Sequence, residues 1–99
     1  MTAQKIKTKE TDLDITTVSI LYAQVTNLFE NKIKKITIDL GRVTFIDSEG
    51  LYALYDLHLK AKKIGSKIQL INITSEVRKI LKITGLLNKL NILDLSYSL

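Results

Sequence analysis

The sequence predicts a single small α/β domain with a mostly parallel or mixed sheet of four to five strands and helices packed against it. Strand-like apolar segments alternate along the chain with segments of helical period, which is the pattern of parallel crossovers. The 99 residues suffice for one domain and hardly for two. Four glycines are the main breaks, and there is no proline, linker or repeat, so we expect residues 1–99 to form one unit.

The first half predicts an edge strand, a helix and a buried strand. Residues 4–10 contain one large apolar side chain, which predicts an edge strand or a frayed end. An amphipathic helix follows, with Asp14 or Thr16 as its N-cap. Its apolar stripe consists of Val18, Leu21, Tyr22, Val25, Leu28 and Phe29. Apolar and polar residues then alternate over residues 35–40, which predicts a strand that Gly41 ends.

The second half predicts a helix, a strand, a third helix and a short last strand. The second helix ends at Gly65. Its central apolar stripe consists of Leu54, Leu57, Ala61 and Ile64. A nearly continuous apolar run over residues 67–73 indicates a strand covered on both faces. Thr74 or Ser75 caps the third helix and Gly85 ends it. The apolar residues between positions 86 and 93 then suggest a short strand, followed by a tail to residue 99.

Composition excludes several classes of protein. The absence of cysteine excludes a disulfide scaffold, a thiol nucleophile and thiolate metal sites. No apolar run approaches the roughly 20 residues that a membrane span needs, and the N-terminus does not have the pattern of a signal peptide. We therefore expect a cytoplasmic protein without a cofactor, a resident metal or a membrane span.

The net charge of +5 raises the alternatives of nucleic acid or anionic lipid as partners. The lysines are scattered, and the clusters at residues 32–35 and 60–63 lie where helices are predicted to end, where cations complement the helix dipole. No aromatic platform for stacking bases accompanies them. We therefore expect no nucleic-acid binding.

Three acidic residues have structural and functional interpretations. Asp39 is interpreted as a structural acid near the end of its strand, or as a partner for Lys35 or Arg42. Asp12 and Asp14 are interpreted as a solvated turn and a cap rather than metal ligands, because no third acid lies nearby.

The second helix contains a histidine and two tyrosines. His58 is interpreted as a packed or half-exposed side chain rather than a catalytic one, because no Asp or Ser at helical spacing serves it. Helical spacing makes partial burial and partner contact equally good interpretations for Tyr52 and Tyr55.

The segment at residues 45–51 is the one whose pattern indicates a function. A strand ends, Asp47 and Ser48 follow, and a helix begins. At such a position, free backbone N–H groups and the helix dipole stabilise a phosphate, and a phosphoserine would turn the surface anionic. The same pair is also explained as a plain N-cap worth about 1 kcal/mol, and the local sequence alone favours that interpretation.

Several ordered motifs, taken together, resemble the STAS domain, the fold of bacterial anti-sigma factor antagonists. The resemblance is carried by residues 36–40 (ITIDL) and 43–51 (VTFIDSEGL). It is supported by three further segments at residues 61–65, 68–71 and 77–86, so that it spans roughly residues 12–94.

The resemblance implies a non-catalytic switch. The unmodified domain would bind an anti-sigma factor that is also a serine kinase, and this binding would free a sigma factor. Phosphorylation by that kinase would switch the domain to its modified state, and a phosphatase would reverse the modification. Position by position, the resemblance implies that Ser48 is the phosphoacceptor. It also implies that the partner-binding residues are Asp47, Ser48, Glu49, Gly50 and Leu51.

The chain departs from the family pattern in ways that leave alternatives open. Glu49 stands where the family usually has Ser or Thr, and its carboxylate would weaken phosphorylation or partly imitate the modified state. The short termini lead us to expect truncated end elements and an exposed apolar surface, hence a homodimer as a hypothesis. Similar stand-alone STAS domains are accessory subunits of bacterial lipid-transport ABC complexes and dock on the ATPase. A hydrolase using Ser48 and Asp47 lacks a base and is not favoured.

Overall fold

The computed structural model describes residues 2–93 and has the α/β architecture that the sequence predicts. Strands and helices alternate along most of the chain. In chain order the elements are β1 (Ala3–Lys7), β2 (Asp12–Leu13), α1 (Val18–Glu30), β3 (Lys35–Asp39), β4 (Phe45–Ile46), α2 (Ser48–Ile64), β5 (Lys67–Ile71), α3 (Ser75–Ile83) and β6 (Ile92–Leu93). The predicted tail beyond residue 93 lies outside the described residues.

The main sheet is parallel, with the strand order β1-β3-β5-β6. Its register places Ile38 of β3 beside Ile6 of β1 on one side and Leu70 of β5 on the other. The predicted edge strand is thus confirmed as β1, and the central strand β3 is buried at Ile36, Ile38 and Asp39. The carboxyl ends of these strands lie at one edge of the sheet, where α/β proteins place their ligands.

A separate two-stranded parallel sheet joins β2 to β4, with Leu13 beside Ile46. The sequence predicts the apolar pair at residues 45–46 as the end of the preceding strand or the turn beyond it, and it predicts no strand at Asp12–Leu13. Strands of two residues are too short to show the alternation of apolar and polar residues that predicts a strand. This pairing is therefore visible only in the folded chain. The small sheet brings the start of α1 to the start of α2.

The core lies between the sheet and the apolar faces of the helices. The fully covered side chains at its centre are Val25, Ile36, Ile38, Leu40, Val43, Leu57, Val77 and Leu81. The predicted stripe of α2 is confirmed at Leu54, Leu57 and Ala61, but the prediction is wrong for Ile64, whose side chain is 49% exposed. Ile64 is the last helical residue, and the chain turns away immediately afterwards through Gly65, which has a φ of 79°.

The two predicted N-caps have different outcomes. Thr74 caps α3 as predicted, since its Oγ1 accepts a hydrogen bond from Val77 N at 3.2 Å. The prediction for α1 is wrong, because Thr17 is the N-cap and its side chain forms no capping bond. Asp14 Oδ1 instead accepts from the N and Oγ1 of Thr16, at 3.0 and 2.6 Å. This local turn, mainly through the Thr16 hydroxyl, lowers the pKa of Asp14.

Asp39 ends β3 as a buried carboxylate that ties two loops to the sheet. Its Oδ1 accepts from Gly41 N at 2.9 Å, and its Oδ2 accepts from Asn72 Nδ2 at 3.2 Å. The cation nearest to it is Lys5, with Nζ 3.9 Å from Oδ2, so both predicted partners are wrong. Lys35 lies at the other end of β3, about 13 Å away along the strand, and Arg42 is exposed to solvent. The predicted structural role fits this geometry.

Candidate functional site

Asp47 holds the start of α2 against the turn before α1. Its backbone is extended, and its Oδ1 accepts a hydrogen bond from Gly50 N at 2.9 Å, which makes it the N-cap. Its Oδ2 accepts from Ile15 N at 3.3 Å, and its own N donates to Leu13 O at 3.2 Å. We call the surface formed by Ile15, Ser48, Glu49 and Tyr52 the Ser48 corner.

Gly50 is buried where α2 meets β2. A Cβ at this position would lie 2.2 Å from Leu13 O and 2.8 Å from Ile46 Cγ1, so the helix can approach the strand this closely only with glycine. Leu51, the next residue, is half-buried and packs against the core. Gly50 and Leu51 therefore lie beneath the Ser48 corner and determine its position, while Ser48 and Glu49 form its surface.

Ser48 is the first residue of α2, and its side chain is exposed. Its hydroxyl forms no hydrogen bond with any side chain or backbone group in residues 2–93, so it is accessible to another protein. Glu49 follows as the acidic residue in the first turn of the helix and is also exposed. The helix thus presents a hydroxyl and a carboxylate side by side at the end that favours negative charge.

Two exposed apolar side chains flank this polar pair. Ile15 is 68% exposed, and the Asp47 carboxylate fixes its backbone beside the start of α2. Tyr52 lies one turn after Ser48 on α2 and is 69% exposed. The sequence analysis did not identify Ile15 as part of this surface. The signal that could have found it is an isoleucine inside an otherwise polar turn. The sequence also left open whether Tyr52 and Tyr55 are partly buried or contact a partner. In the structure Tyr52 is exposed and Tyr55 is half-buried.

A polar cluster joins α1 to α2 beyond the Ser48 corner. The Tyr22 hydroxyl donates to Asp56 Oδ2 at 2.7 Å and accepts from Lys60 Nζ, which also lies 5.0 Å from the centre of the Tyr22 ring. Lys60 pairs with Asp56 at 3.3 Å. The hydrogen bond to the Tyr22 hydroxyl is the main cause that raises the pKa of Lys60, and the bond to Asp56 adds to it. The cluster helps to fix the two helices that border the site.

His58 does not lie beside Ser48 in the part of the chain that the structure describes. His58 lies ten residues further along α2, where its ring is stacked with Tyr55 at 6.5 Å between centroids. Partial burial, reinforced by the charge of Lys62, lowers the pKa of His58. Across residues 2–93, no three acidic or histidine side chains converge in a group that could hold a metal ion. Within the same residues, none of the helices has the length and apolar character needed to cross a membrane.

Replacing Asp47 by alanine is expected to lower the free energy of unfolding by about 1–2 kcal/mol, because Gly50 N and Ile15 N both lose their acceptor. Chemical denaturation of the two proteins measures this difference. The Asp47→Asn variant is the control, since its single amide oxygen keeps the cap bond from Gly50 N while its Nδ2 cannot accept from Ile15 N, so we expect a smaller loss than in Asp47→Ala. A loss in Asp47→Asn equal to that in Asp47→Ala would contradict the capping role.

Comparison with known proteins identifies similar sequences and folds. The family model of the STAS domain matches residues 8–97. The unphosphorylated anti-sigma factor antagonist SpoIIAA has 22% identity and a TM-score of 0.75, with 93% of this chain and 78% of that chain covered. The NMR structure of TM1081 has 26% identity and a TM-score of 0.77, with 93% and 74% covered.

The phosphorylated form of SpoIIAA, described as a Bacillus cell fate determinant, is also similar. It has 19% identity and a TM-score of 0.65, with 93% of this chain and 79% of that chain covered. No curated protein sequence matches this chain. These likenesses confirm the predicted fold class.

Proposed function

This chain belongs to the STAS domain family, and we propose that it is a non-catalytic binding module, an anti-sigma factor antagonist switched by phosphorylation of Ser48. Its partner would be an anti-sigma factor that is also a serine kinase. The observation that carries the proposal is the position of Ser48, which is exposed as the first residue of a helix whose N-cap is fixed to a second segment of the chain.

The start of α2 can accept a phosphate without unfolding. A phosphoserine adds about −1.5 to −2 charges at neutral pH, and the positive end of a helix dipole stabilises such a charge. Asp47 directs its carboxylate to Gly50 N and Ile15 N, so the cap does not depend on the Ser48 hydroxyl. Phosphorylation would therefore change the charge of the Ser48 corner and leave the fold in place.

The five residues proposed for partner binding divide into two groups. Ser48 and Glu49 are exposed and would touch the partner directly. Asp47, Gly50 and Leu51 would act by positioning them, through the cap, the close approach to β2 and the packing on the core. Ile15 and Tyr52 add exposed apolar and aromatic area of the kind that protein interfaces bury.

Incubation with ATP and the partner kinase, followed by intact-mass measurement, is expected to show one phosphate on the wild type and none on Ser48→Ala. Ser75 provides a matched control, because it is also exposed and is also the first residue of a helix. Ser75→Ala is expected to be phosphorylated like the wild type. A phosphate that persists in Ser48→Ala, or no phosphate with a competent kinase, would contradict the switch.

Ser48→Asp is expected to bind the partner about tenfold more weakly than Ser48→Ala, since a charge at an interface centre acts against binding by about 1.4 kcal/mol when it is not paired. Titration calorimetry with both variants measures the ratio. If both variants bind equally, the Ser48 corner does not respond to charge.

A second candidate is an accessory subunit that docks on the ATPase of a bacterial lipid-transport ABC complex. Glu49 favours it, because its exposed carboxylate lies beside Ser48 and already gives this surface a permanent negative charge. Co-purification with an ATPase rather than a kinase distinguishes the two candidates.

We propose in either case that residues 1–99 act as one domain in the cytoplasm. The homodimer is a further hypothesis, supported by exposed apolar side chains away from the Ser48 corner, such as Leu59 and Ile83. Sedimentation that shows only monomer at high concentration would remove it.

A further inference from the structure

A small apolar cavity of about 210 Å³ lies between α1 and the segment that follows β1. Its lining includes the buried side chains of Leu13, Leu21 and Val43, which come from three different parts of the chain. Ile20 also lines it, and 52% of this side chain is exposed although it is apolar. A concave lining that is mainly apolar, with a few charged groups beside it, is typical of a small-molecule site.

Unpaired cations surround the mouth of this cavity. Lys7 and Lys9 line it together with Glu10, so its charged groups have a net single positive charge. Within residues 2–93 neither lysine has an acidic side chain close enough for an ion pair. Arg42 lies beside them across a neighbouring depression that the same two lysines line. Lys7, Lys9 and Arg42 against Glu10 leave this rim positive, so an anionic head group such as a carboxylate is its complement.

The position of the cavity in the fold agrees with a ligand site. Lys7 is the last residue of β1, so the cavity opens at the carboxyl end of a parallel strand. Leu13 forms part of its wall, and the backbone oxygen of Leu13 accepts the hydrogen bond from Asp47 N. The cavity is thus separate from the Ser48 corner and shares one short strand with it.

We propose that this cavity binds a small amphiphilic carboxylate, with its apolar body among Leu13, Ile20 and Leu21 and its carboxylate at Lys7 and Lys9. The body would have about six to eight carbons, because a cavity of ~150 Å³ already holds benzene. Burial of the chain supplies the affinity, and the lysines orient the head group. The proposal is independent of the phosphorylation switch, since none of the residues of the Ser48 corner takes part.

Titration with octanoate, followed by NMR of the backbone amides and methyl groups, tests the proposal. We expect saturable shifts at Leu13, Ile20 and Leu21. We expect about fivefold weaker binding in the double variant Lys7→Gln/Lys9→Gln, the effect of removing two exposed charge interactions. Both lysines are exposed, so the variant is expected to fold.

The matched control is Lys62→Gln/Lys63→Gln, which removes the same charge from the end of α2 and should bind octanoate like the wild type. Octan-1-ol, which lacks the charge, should bind more weakly than octanoate. The proposal is overturned if no saturable shifts occur at the cavity, if both double variants weaken binding equally, or if the alcohol binds as tightly as the acid.

Discussion

Gly50→Ala is expected to lower the free energy of unfolding by about 3 kcal/mol, which is a large effect for one methyl group. The new Cβ would lie 2.2 Å from Leu13 O and 2.8 Å from Ile46 Cγ1. A backbone carbonyl cannot rotate away as a flexible side chain can, so α2 and β2 must separate. The separation also weakens the hydrogen bond from Asp47 N to Leu13 O. The greater helix propensity of alanine, about 1 kcal/mol, offsets only part of this loss.

Urea denaturation of wild type and Gly50→Ala measures this effect, and Gly65→Ala is its matched control. Gly65 has open space around it, so the same methyl group adds only the strain of a positive φ, about 1 kcal/mol. Partner binding is also expected to fall in Gly50→Ala, because the Ser48 corner moves with the helix. A stability equal to that of the wild type would show that β2 and α2 do not require this close contact.

Asp39→Ala is expected to lower the free energy of unfolding by about 2–3 kcal/mol. The buried carboxylate accepts from Gly41 N and Asn72 Nδ2, and it lies in the centre of the main sheet at the end of β3. Its removal takes away the acceptor of both bonds and empties a site in which the carboxylate itself is only 5% exposed. Asn72 has a positive φ of 56°, so the loop after β5 also loses one of the bonds that hold this uncommon conformation.

Lys5→Met tests how much of the stabilisation by Asp39 comes from its ion pair rather than from its hydrogen bonds. The Lys5 side chain is exposed and lies 3.9 Å from Asp39 Oδ2, so we expect its replacement to lower the free energy of unfolding by less than about 1 kcal/mol. Thermal and urea denaturation of the three proteins provide the comparison. A loss in Lys5→Met as large as that in Asp39→Ala would show that the ion pair, rather than the bonds to the loops, is the main contribution of the carboxylate.

The longer elements of the fold were predictable because their hydrophobic period extends over enough residues. The stripe of α1 and the glycine that ends α2 are found where the sequence predicts them. The pairing of β2 with β4 was not predictable, since each strand has two residues and their partners are 33 positions apart. Asp14 was misassigned as a cap because an Asp before a helix can also complete a local turn with Thr16.

The position of Ser48 at the start of a helix was predictable, but its surroundings were not. The pattern Asp-Ser before a helical period locates a cap, and Asp47 is the cap. The contribution of Ile15 depends on a hydrogen bond between residues 32 positions apart. The burial of Gly50 depends equally on where β2 lies, and no local pattern determines it. Long-range contacts of this kind are what a single sequence does not reveal.

The hydrogen bond between Ile15 N and Asp47 Oδ2 joins two distant stretches of the chain in a single surface. A short synthetic peptide around Ser48 would contain the hydroxyl but would lack Ile15 and the fixed helix start. An enzyme or receptor that recognises the assembled surface would therefore ignore nascent, misfolded or proteolysed copies. A partner that docks on the Ser48 corner would thus bind only molecules that have completed folding.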